Sequence, residues 1–271
     1  MSAARTVAPF GRRLAPVTAR EQHGAYVVLR CDDLEGPHPQ AGQFYMLAAA
    51  SRWGGGEGER PFLPRAFSVL RAHEDPAGGV ELAFLIEDVG PGTNRLCELV
   101  PADGLLLLGP LGHGFEPPRG DRRALLVGGG VGIAPLAIWQ DRLGADTPAL
   151  LGFRDAPRAE AARLISGARI ATDDGSVGHS GPVTDLLKRK LEFGGEGLEV
   201  YACGPPAMLE AVRLICAEHR SPAQLALESG MACGFGACFG CVVSTLEGYI
   251  RLCVDGPVLD ASTLETVAVG H

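Results

Sequence analysis

The tightest constraint on this chain lies near its end, in the run Cys233-Gly-Phe-Gly-Ala-Cys238-Phe-Gly-Cys241, with a fourth cysteine following at Cys253. The first three have a C-x4-C-x2-C spacing. A short loop of that kind wraps a [2Fe–2S] cluster, and a later cysteine closes the second iron. Gly234, Gly236 and Gly240 fit the same reading, because residues without a Cβ let the backbone bend tightly and turn its N–H groups toward sulfur. A zinc site and a set of buried thiols are the alternatives. Zinc ligands usually come as two separated C-x2-4-C clips, which favours the cluster. Cys233, Cys238, Cys241 and Cys253 are therefore the expected metal ligands.

Only a short tail follows Cys253, so a compact cluster-binding appendix is expected rather than a complete ferredoxin domain. At 271 residues the whole chain has room for two packed domains and such a module. A net charge of −8 argues against nucleic acid or an anionic membrane as partner, since both call for a dense positive surface. No stretch approaches the roughly 18 to 20 apolar residues of a membrane span, and the N-terminus lacks a secretory apolar core. A cytoplasmic protein is expected. Arg5, Arg12, Arg13 and Arg20, with no acid among them, faintly resemble a transit peptide. Scarce serines, Pro9 and Pro16 favour instead a short disordered lead-in over the first twenty residues. Cys31, Cys97 and Cys216 read as buried thiols.

From Ala25 to about Leu108 the text is strand-like, in short apolar runs bounded by Gly, Pro or Asp turns, which implies a closed antiparallel barrel. The polar segment from Ser51 to Pro64 reads as a tolerated insertion. Beyond Pro117-Pro118-Arg119-Gly120-Asp121 strand and helix alternate. Ala124–Val127, Ala149–Phe153 and Leu198–Ala202 read as strands, and Ile133–Leu143, Ala159–Ile165 and Pro206–His219 as helices. That alternation means a parallel sheet. The expected fold is thus α+β and multidomain: a β-barrel over 1–119, an α/β parallel-sheet domain over 120–226 and the cysteine module over 227–271.

Val127-Gly128-Gly129-Gly130-Val131-Gly132-Ile133 joins a buried strand to a helix, where glycines let a pyrophosphate approach the backbone and the helix start supplies free N–H groups. It departs from G-x-G-x-x-G, and a merely tight turn is an equal alternative. Cys203-Gly204-Pro205-Pro206 ends a second parallel strand at the carboxyl edge, where open α/β sheets bind ligands. In the barrel, Arg65-Ala66-Phe67-Ser68 supplies a cation and a hydroxyl, with Arg65 and Phe67 expected on one face and Ala66 and Ser68 on the other. Val89-Gly90-Pro91-Gly92-Thr93-Asn94 is an anion-ready turn ahead of a helical Arg95–Leu99. A plain surface Arg and Ser would explain the former pattern as well. The histidines are scattered and read as surface or packing residues.

In this order the motifs resemble the ferredoxin reductase superfamily, and within it the electron-transfer subunit of type B dihydroorotate dehydrogenase. The resemblance runs from Gly42-Gln43-Phe44 through Arg65–Ser68, Gly92-Thr93, Gly109–Phe115, Gly128–Pro135 and Ala171–Ser176 to the cysteine loop and Arg251–Val258. Ala66 departs from it, since the family usually has proline there. The resemblance implies FAD on the barrel, with Arg65 at the pyrophosphate, Ala66, Phe67 and Ser68 lining the flavin, Leu85, Ile86 and Glu87 edging its ring, and Gly92 and Thr93 holding phosphate. Gly129, Gly130, Cys203, Gly204 and Pro205 would receive NAD opposite the flavin. Asp173 and Asp174 read equally as solvated turn residues or ligand contacts. Arg154 suits a 2′-phosphate and Asp155 a 2′-hydroxyl, and the family favours NAD.

The implied function is electron transfer between NAD(H) and an FMN-containing dihydroorotate dehydrogenase catalytic subunit through FAD and the [2Fe–2S] cluster, in a heterotetramer of two plus two, within pyrimidine biosynthesis. Hydride carriers move two electrons and clusters one, so a flavin must stand between them. The chain itself shows no dihydroorotate site. A reductase serving an oxygenase, hydrogenase or sulfur-reducing partner is the alternative enzyme, and a redox-sensing or structural cluster protein without flavin is the alternative of another class.

Overall fold

The chain is described from a computed structural model, which covers residues 6–9, 11–55, 61–74 and 78–267. Its first half closes a six-stranded antiparallel barrel. The strands are β1 (Arg13–His23), β2 (Tyr26–Asp33), β3 (Phe44–Ala49), β4 (Arg65–Glu74), β5 (Val80–Glu87) and β6 (Gly104–Leu111), in the order β1-β2-β5-β4-β3-β6. The disordered lead-in expected up to residue 20 is corrected from Arg13 onward. Arg13, Ala15 and Val17 point inward with Leu14 and Pro16 outward, and β1 pairs with both β6 and β2. Pro16 excludes a helix but fits an extended strand.

Between β5 and β6, helix α1 (Pro91–Cys97) begins four residues earlier than the sequence reading placed it, with Pro91 in its first turn. The second half forms a seven-stranded sheet with the order β10-β9-β8-β7-β11-β12-β15. Its strands are β7 (Arg123–Gly129), β8 (Ala149–Phe153), β9 (Arg169–Thr172), β10 (His179–Ser180), β11 (Leu198–Cys203), β12 (Ala223–Ala226) and β15 (Val258–Asp260). All its pairings are parallel except β12 with β15. Every residue of β11 is buried, as a strand covered on both faces requires. Helices α2 (Ile133–Leu143), α4 (Val183–Glu192) and α5 (Pro206–Glu218) flank the sheet. The helix expected over 159–165 is instead a short α3 (Ala156–Ala159) followed by a 3-10 turn, Glu160–Leu164.

Strand order reverses between β7 and β11, and in such sheets that is where the crevice for a ligand opens. The barrel is fixed against this edge by the chain that links the two. Phe115 lies 5.9 Å from the Trp139 ring and 5.6 Å from Tyr201. The Tyr201 hydroxyl and Gln224 Nε2 both donate to the Glu116 carbonyl at 3.0 Å. Fully buried Glu199 accepts from Arg119 N at 2.9 Å and Gln224 Nε2 at 3.0 Å, so its charge does not stand unpaired.

The cysteine segment carries a two-stranded ribbon, β13 (Val242–Thr245) and β14 (Gly248–Arg251), then a single helical turn, α6 (Leu252–Asp255). Its end rejoins the rest of the molecule through β15. His113 N donates to the Gly256 carbonyl at 2.6 Å and Leu227 N to that of Pro257 at 2.9 Å.

Inside the barrel, Arg13 grips Asp33 through Nε and Nη2 at 2.8 and 2.6 Å, and Nη2 also donates to the Gly109 carbonyl at 2.8 Å. Both side chains are buried. Removing one partner of such a pair strands a charge, so Asp33→Ala is expected to cost about 3–5 kcal/mol. Glu81→Ala, at the more exposed Arg30 pair, is expected to cost less than about 1 kcal/mol. Urea denaturation of the two variants checks the contrast.

Candidate functional site

The ladder between β4 and β5 stops at Val69 opposite Phe84, while Arg65–Ser68 pair only with β3 and Leu85–Glu87 only with β2. The two strand ends part and leave a slot. A cavity of about 180 Å³ fills it, walled by Phe44, Ala66, Phe67, Ser68 and Leu85 from the barrel and by Val131, Cys203 and Glu228 from the sheet. Ala66, Phe67 and Ser68 all border the cavity, because the strand presents an unpaired edge as well as a face. Ile86 points into the core and is fully buried.

Arg65 stands apart from this cavity, beside the start of α1. A Cβ on Gly92 would lie 2.6 Å from Arg65 Nε, so the absence of a side chain at residue 92 is what admits the guanidinium. Arg65 Nη1 donates to the Leu63 carbonyl at 2.6 Å, and its Cζ lies 5.9 Å from the centre of the Trp53 ring. Trp53 belongs to the segment read as a tolerated insertion, of which residues 56–60 lie outside the described residues. The segment thus buttresses a site residue. The Thr93 hydroxyl is engaged locally, accepting from Val89 N and Gly90 N at 2.9 and 3.0 Å and donating to the Gly90 carbonyl.

A larger cleft of about 500 Å³ opens at the strand-order reversal. Gly129, Gly130, Gly204 and Pro205 line it from the ends of β7 and β11, with Arg154, Asp173 and Thr184 opposite and Tyr26 and Glu87 reaching in from the barrel. Gly130 takes a φ of 54°, and a Cβ on Gly132 would meet the Cys203 carbonyl oxygen at 2.5 Å. The two glycine turns therefore touch. Glu87 belongs to this cleft rather than to the slot. Asp174 is a turn residue, its carboxylate accepting from Ser176 N at 2.9 Å, whereas Asp173 borders the cleft.

Val131 and Glu228 line both cavities, so the two lie side by side and share a wall. Glu228 is open to them, yet the surrounding protein disfavours its charge and raises its carboxyl above the usual carboxylate range. Burial likewise pushes the Cys203 thiol well up. Glu228, Tyr26, Arg158 and Trp53 are site neighbours that motif reading missed. For Glu228 a signal existed, since it follows β12 at the carboxyl edge of a parallel strand.

Met231 also borders the slot, two residues before Cys233. Gly234 and Gly236 take φ values of 78° and 89°, and a Cβ on Gly234 would stand 2.5 Å from Met46 Cγ, so the loop is pressed onto the barrel. Cys241 and Cys253 are buried with their sulfurs 3.2 Å apart, while Cys238 is exposed. Burial acts to raise the Cys233 thiol, but N–H groups of Cys238, Phe235 and Ala237 aimed at its sulfur outweigh that and hold it down to about 6. Burial and neighbouring Cys241 push the Cys253 thiol up to about 12. Arg251 ties the loop, with Nη1 donating to the Gly236 carbonyl at 3.2 Å and Cζ 5.4 Å from the Phe239 ring centre. As placed, no three ligating side chains among the described residues converge on one point. The fit to a cluster rests on four free thiols carried by one loop and the helical turn that follows it, with backbone N–H groups at Cys233 that favour thiolate, the form that binds iron.

The model of the iron–sulfur cluster binding domain of dihydroorotate dehydrogenase B matches residues 228–265. The electron transfer subunit of dihydroorotate dehydrogenase B (NAD(+)) from Geobacillus kaustophilus is 38% identical over 236 residues, 82% of this chain and 85% of that protein. The subunit of the same name from Caldanaerobacter subterraneus is 36% identical over 230 residues, 83% of this chain and 86% of that one. The chain belongs to this family of electron transfer subunits. A solved structure of NADH-dependent reduced ferredoxin-NADP oxidoreductase superposes with a TM-score of 0.75 at 25% identity, over 95% of this chain and 92% of that one. The ferredoxin reductase of carbazole 1,9a-dioxygenase, at 24% identity and a TM-score of 0.63, shares the fold.

In a family member with this layout, the contact between the two glycine turns should tolerate no side chain. Gly132→Ala is expected to cost about 1–3 kcal/mol, since its Cβ must displace backbone. Gly230→Ala, which meets nothing within 4 Å, should stay within about 0.5 kcal/mol of wild type. Thermal denaturation monitored by circular dichroism distinguishes the two.

Proposed function

We propose that the protein carries electrons between NAD(H) in the large cleft and a partner flavin subunit that oxidises dihydroorotate to orotate, by way of FAD in the slot and a [2Fe–2S] cluster in the cysteine loop. One observation carries this reading: cleft, slot and loop adjoin, the first two sharing Val131 and Glu228 and the slot reaching Met231, two residues before Cys233. Dihydroorotate would be oxidised on the partner and electrons would leave to NAD. Residues 1–119 would serve the flavin, 120–226 the nucleotide and 227–271 the cluster. An FMN-containing catalytic subunit in a two-plus-two heterotetramer, in the cytoplasm, completes the proposal. Among the described residues no helix is long and apolar enough to cross a membrane.

Bound in these sites, the flavin would couple two-electron to one-electron carriers and the cluster would pass electrons singly. The protein's residues do the rest. Arg65, braced by Trp53 and Leu63, would hold the flavin pyrophosphate beside Gly92, with Thr93 shaping that turn from within. Ala66, Phe67, Ser68 and Leu85 would line the ring, with Ile86 packing behind them. Gly129, Gly130, Gly204 and Pro205 would let the nucleotide lie against backbone N–H groups, while Cys203 closes the slot behind. Cys233, Cys238, Cys241 and Cys253 would bind iron.

Cys238→Ser is expected to lose the iron while keeping flavin, because the slot draws no wall from that residue. Reduction of the flavin by NADH should survive and delivery to the partner should fail. Iron analysis combined with anaerobic stopped-flow kinetics checks this, and full iron retention would sink the ligand assignment.

Phe235 and Phe239 are both exposed aromatics on the cysteine loop, and Phe239 also carries the Arg251 guanidinium, so Phe235 is the cleaner probe of an outer contact. Phe235→Asp is expected to block association with a co-expressed dihydroorotate-oxidising subunit while the cluster absorbance remains. Size-exclusion chromatography reads the outcome, and undiminished association would place the interface elsewhere.

A further inference from the structure

The nucleotide cleft is not built by its own sheet alone. Glu87, at the end of barrel strand β5, accepts from Arg158 Nε at 2.8 Å, and Arg158 Nη1 donates to Asp155 at 2.6 Å. One guanidinium is thus shared by carboxylates from the two halves of the molecule. Arg158 is 27% exposed and Glu87 19%, so the pair is less screened than one at an open surface. The seam around it is rigid. Ala25 N donates to the Pro157 carbonyl at 3.1 Å, and Gly24, at a φ of 57°, lies where any Cβ would overlap that oxygen. Beside them the buried Tyr26 hydroxyl has no hydrogen-bond partner among the described residues and borders the same cleft, within 3.8 Å of where a Gly130 Cβ would be. A buried hydroxyl left unpaired here is the mark of a place that a polar ligand completes.

Charge decides which ligand. Glu87, Asp173 and Glu228 line the cleft against Arg154 and Arg158, and Arg158 is already neutralised. Arg154 alone of these two guanidiniums has no ion pair among the described residues. A 2′-phosphate brings about two further negative charges to a dinucleotide, and among the described residues the cleft lining offers them no second free cation. We propose that Glu87 is a specificity-determining residue that acts through Arg158: by neutralising that arginine from the barrel side, it makes the cleft select NAD(H) over its 2′-phosphorylated counterpart. The inference rests on reading this cleft as the dinucleotide site.

The test uses the flavin- and iron-replete protein and two probes, 5′-AMP and adenosine 2′,5′-bisphosphate, with binding followed by isothermal titration calorimetry. Glu87→Gln keeps the shape and an acceptor for Arg158 but removes the charge. It should raise the affinity ratio of bisphosphate to AMP about fivefold, the scale of one partly screened charge interaction. Glu87→Ser, a second neutral variant, should move the ratio the same way, and Glu87→Asp should restore the wild-type ratio. Adding Arg158→Ala to Glu87→Gln should abolish the gain. An unchanged ratio in both neutral variants, or a gain that survives the loss of Arg158, overturns the proposal. Failure of the wild type to bind either probe would instead overturn the reading of the cleft, and this inference with it.

Discussion

Phe115 packs against both Trp139 and Tyr201, which also touch each other, where the chain leaves the barrel, and this three-ring cluster joins the barrel to the sheet that carries the cleft. Aromatic side chains bring large buried area with a preferred geometry, so this cluster fixes distance as well as affinity between barrel and sheet. The polar contacts beside it set orientation. Glu116 is held by Tyr201 and Gln224, and Arg119 by Glu199, in a network whose members satisfy one another. Arg71 adds a contact on the other side, pairing with Asp141 at 3.0 Å and donating to the Leu164 carbonyl at 2.6 Å. A slot between β4 and β5 would be a local irregularity of a barrel if the sheet did not close its open side with Val131, Cys203 and Glu228.

With the two halves fixed, glycine permits close approach between segments distant in sequence. Gly132 brings the first glycine turn against the end of β11, and Gly234 lets the cysteine loop lie on Met46 of the barrel. Glu228 lines both cavities, and its raised carboxyl is the kind of perturbation that desolvation produces in a cleft. The cysteine loop shows the opposite tuning at Cys233, where backbone N–H groups stabilise the thiolate against burial. Each residue's environment, rather than its type, sets its charge state.

Much of this was legible in the sequence. The cysteine spacing marked the segment that the iron–sulfur cluster binding domain model matches, the glycine turns marked the carboxyl edge of the sheet, and Ala66–Ser68 and Leu85 border one cavity. Local rules reached these because each depends on a few adjacent residues: a turn that needs positive φ, a strand end, a ligand spacing. They failed where a partner strand decides. β1 looked like a basic lead-in because its inward residues include Arg13, whose burial makes sense only once Asp33 lies opposite. Trp53 looked like part of an idle insertion because its role is to lie against Arg65, which folds back on it.

Sequence by itself determined the chemistry the chain can hold, since thiol spacing, glycine turns and the order of strand and helix are properties of contiguous residues. Tertiary structure alone decided how those sites communicate and what enters them. That Glu87 lies away from the slot and pairs with Arg158, that Glu228 lines two cavities and that Phe239 meets Arg251 are consequences of distance across the fold. Electrostatic and packing energies depend on separation in space, and no spacing along the chain encodes the meeting of residues 87 and 158.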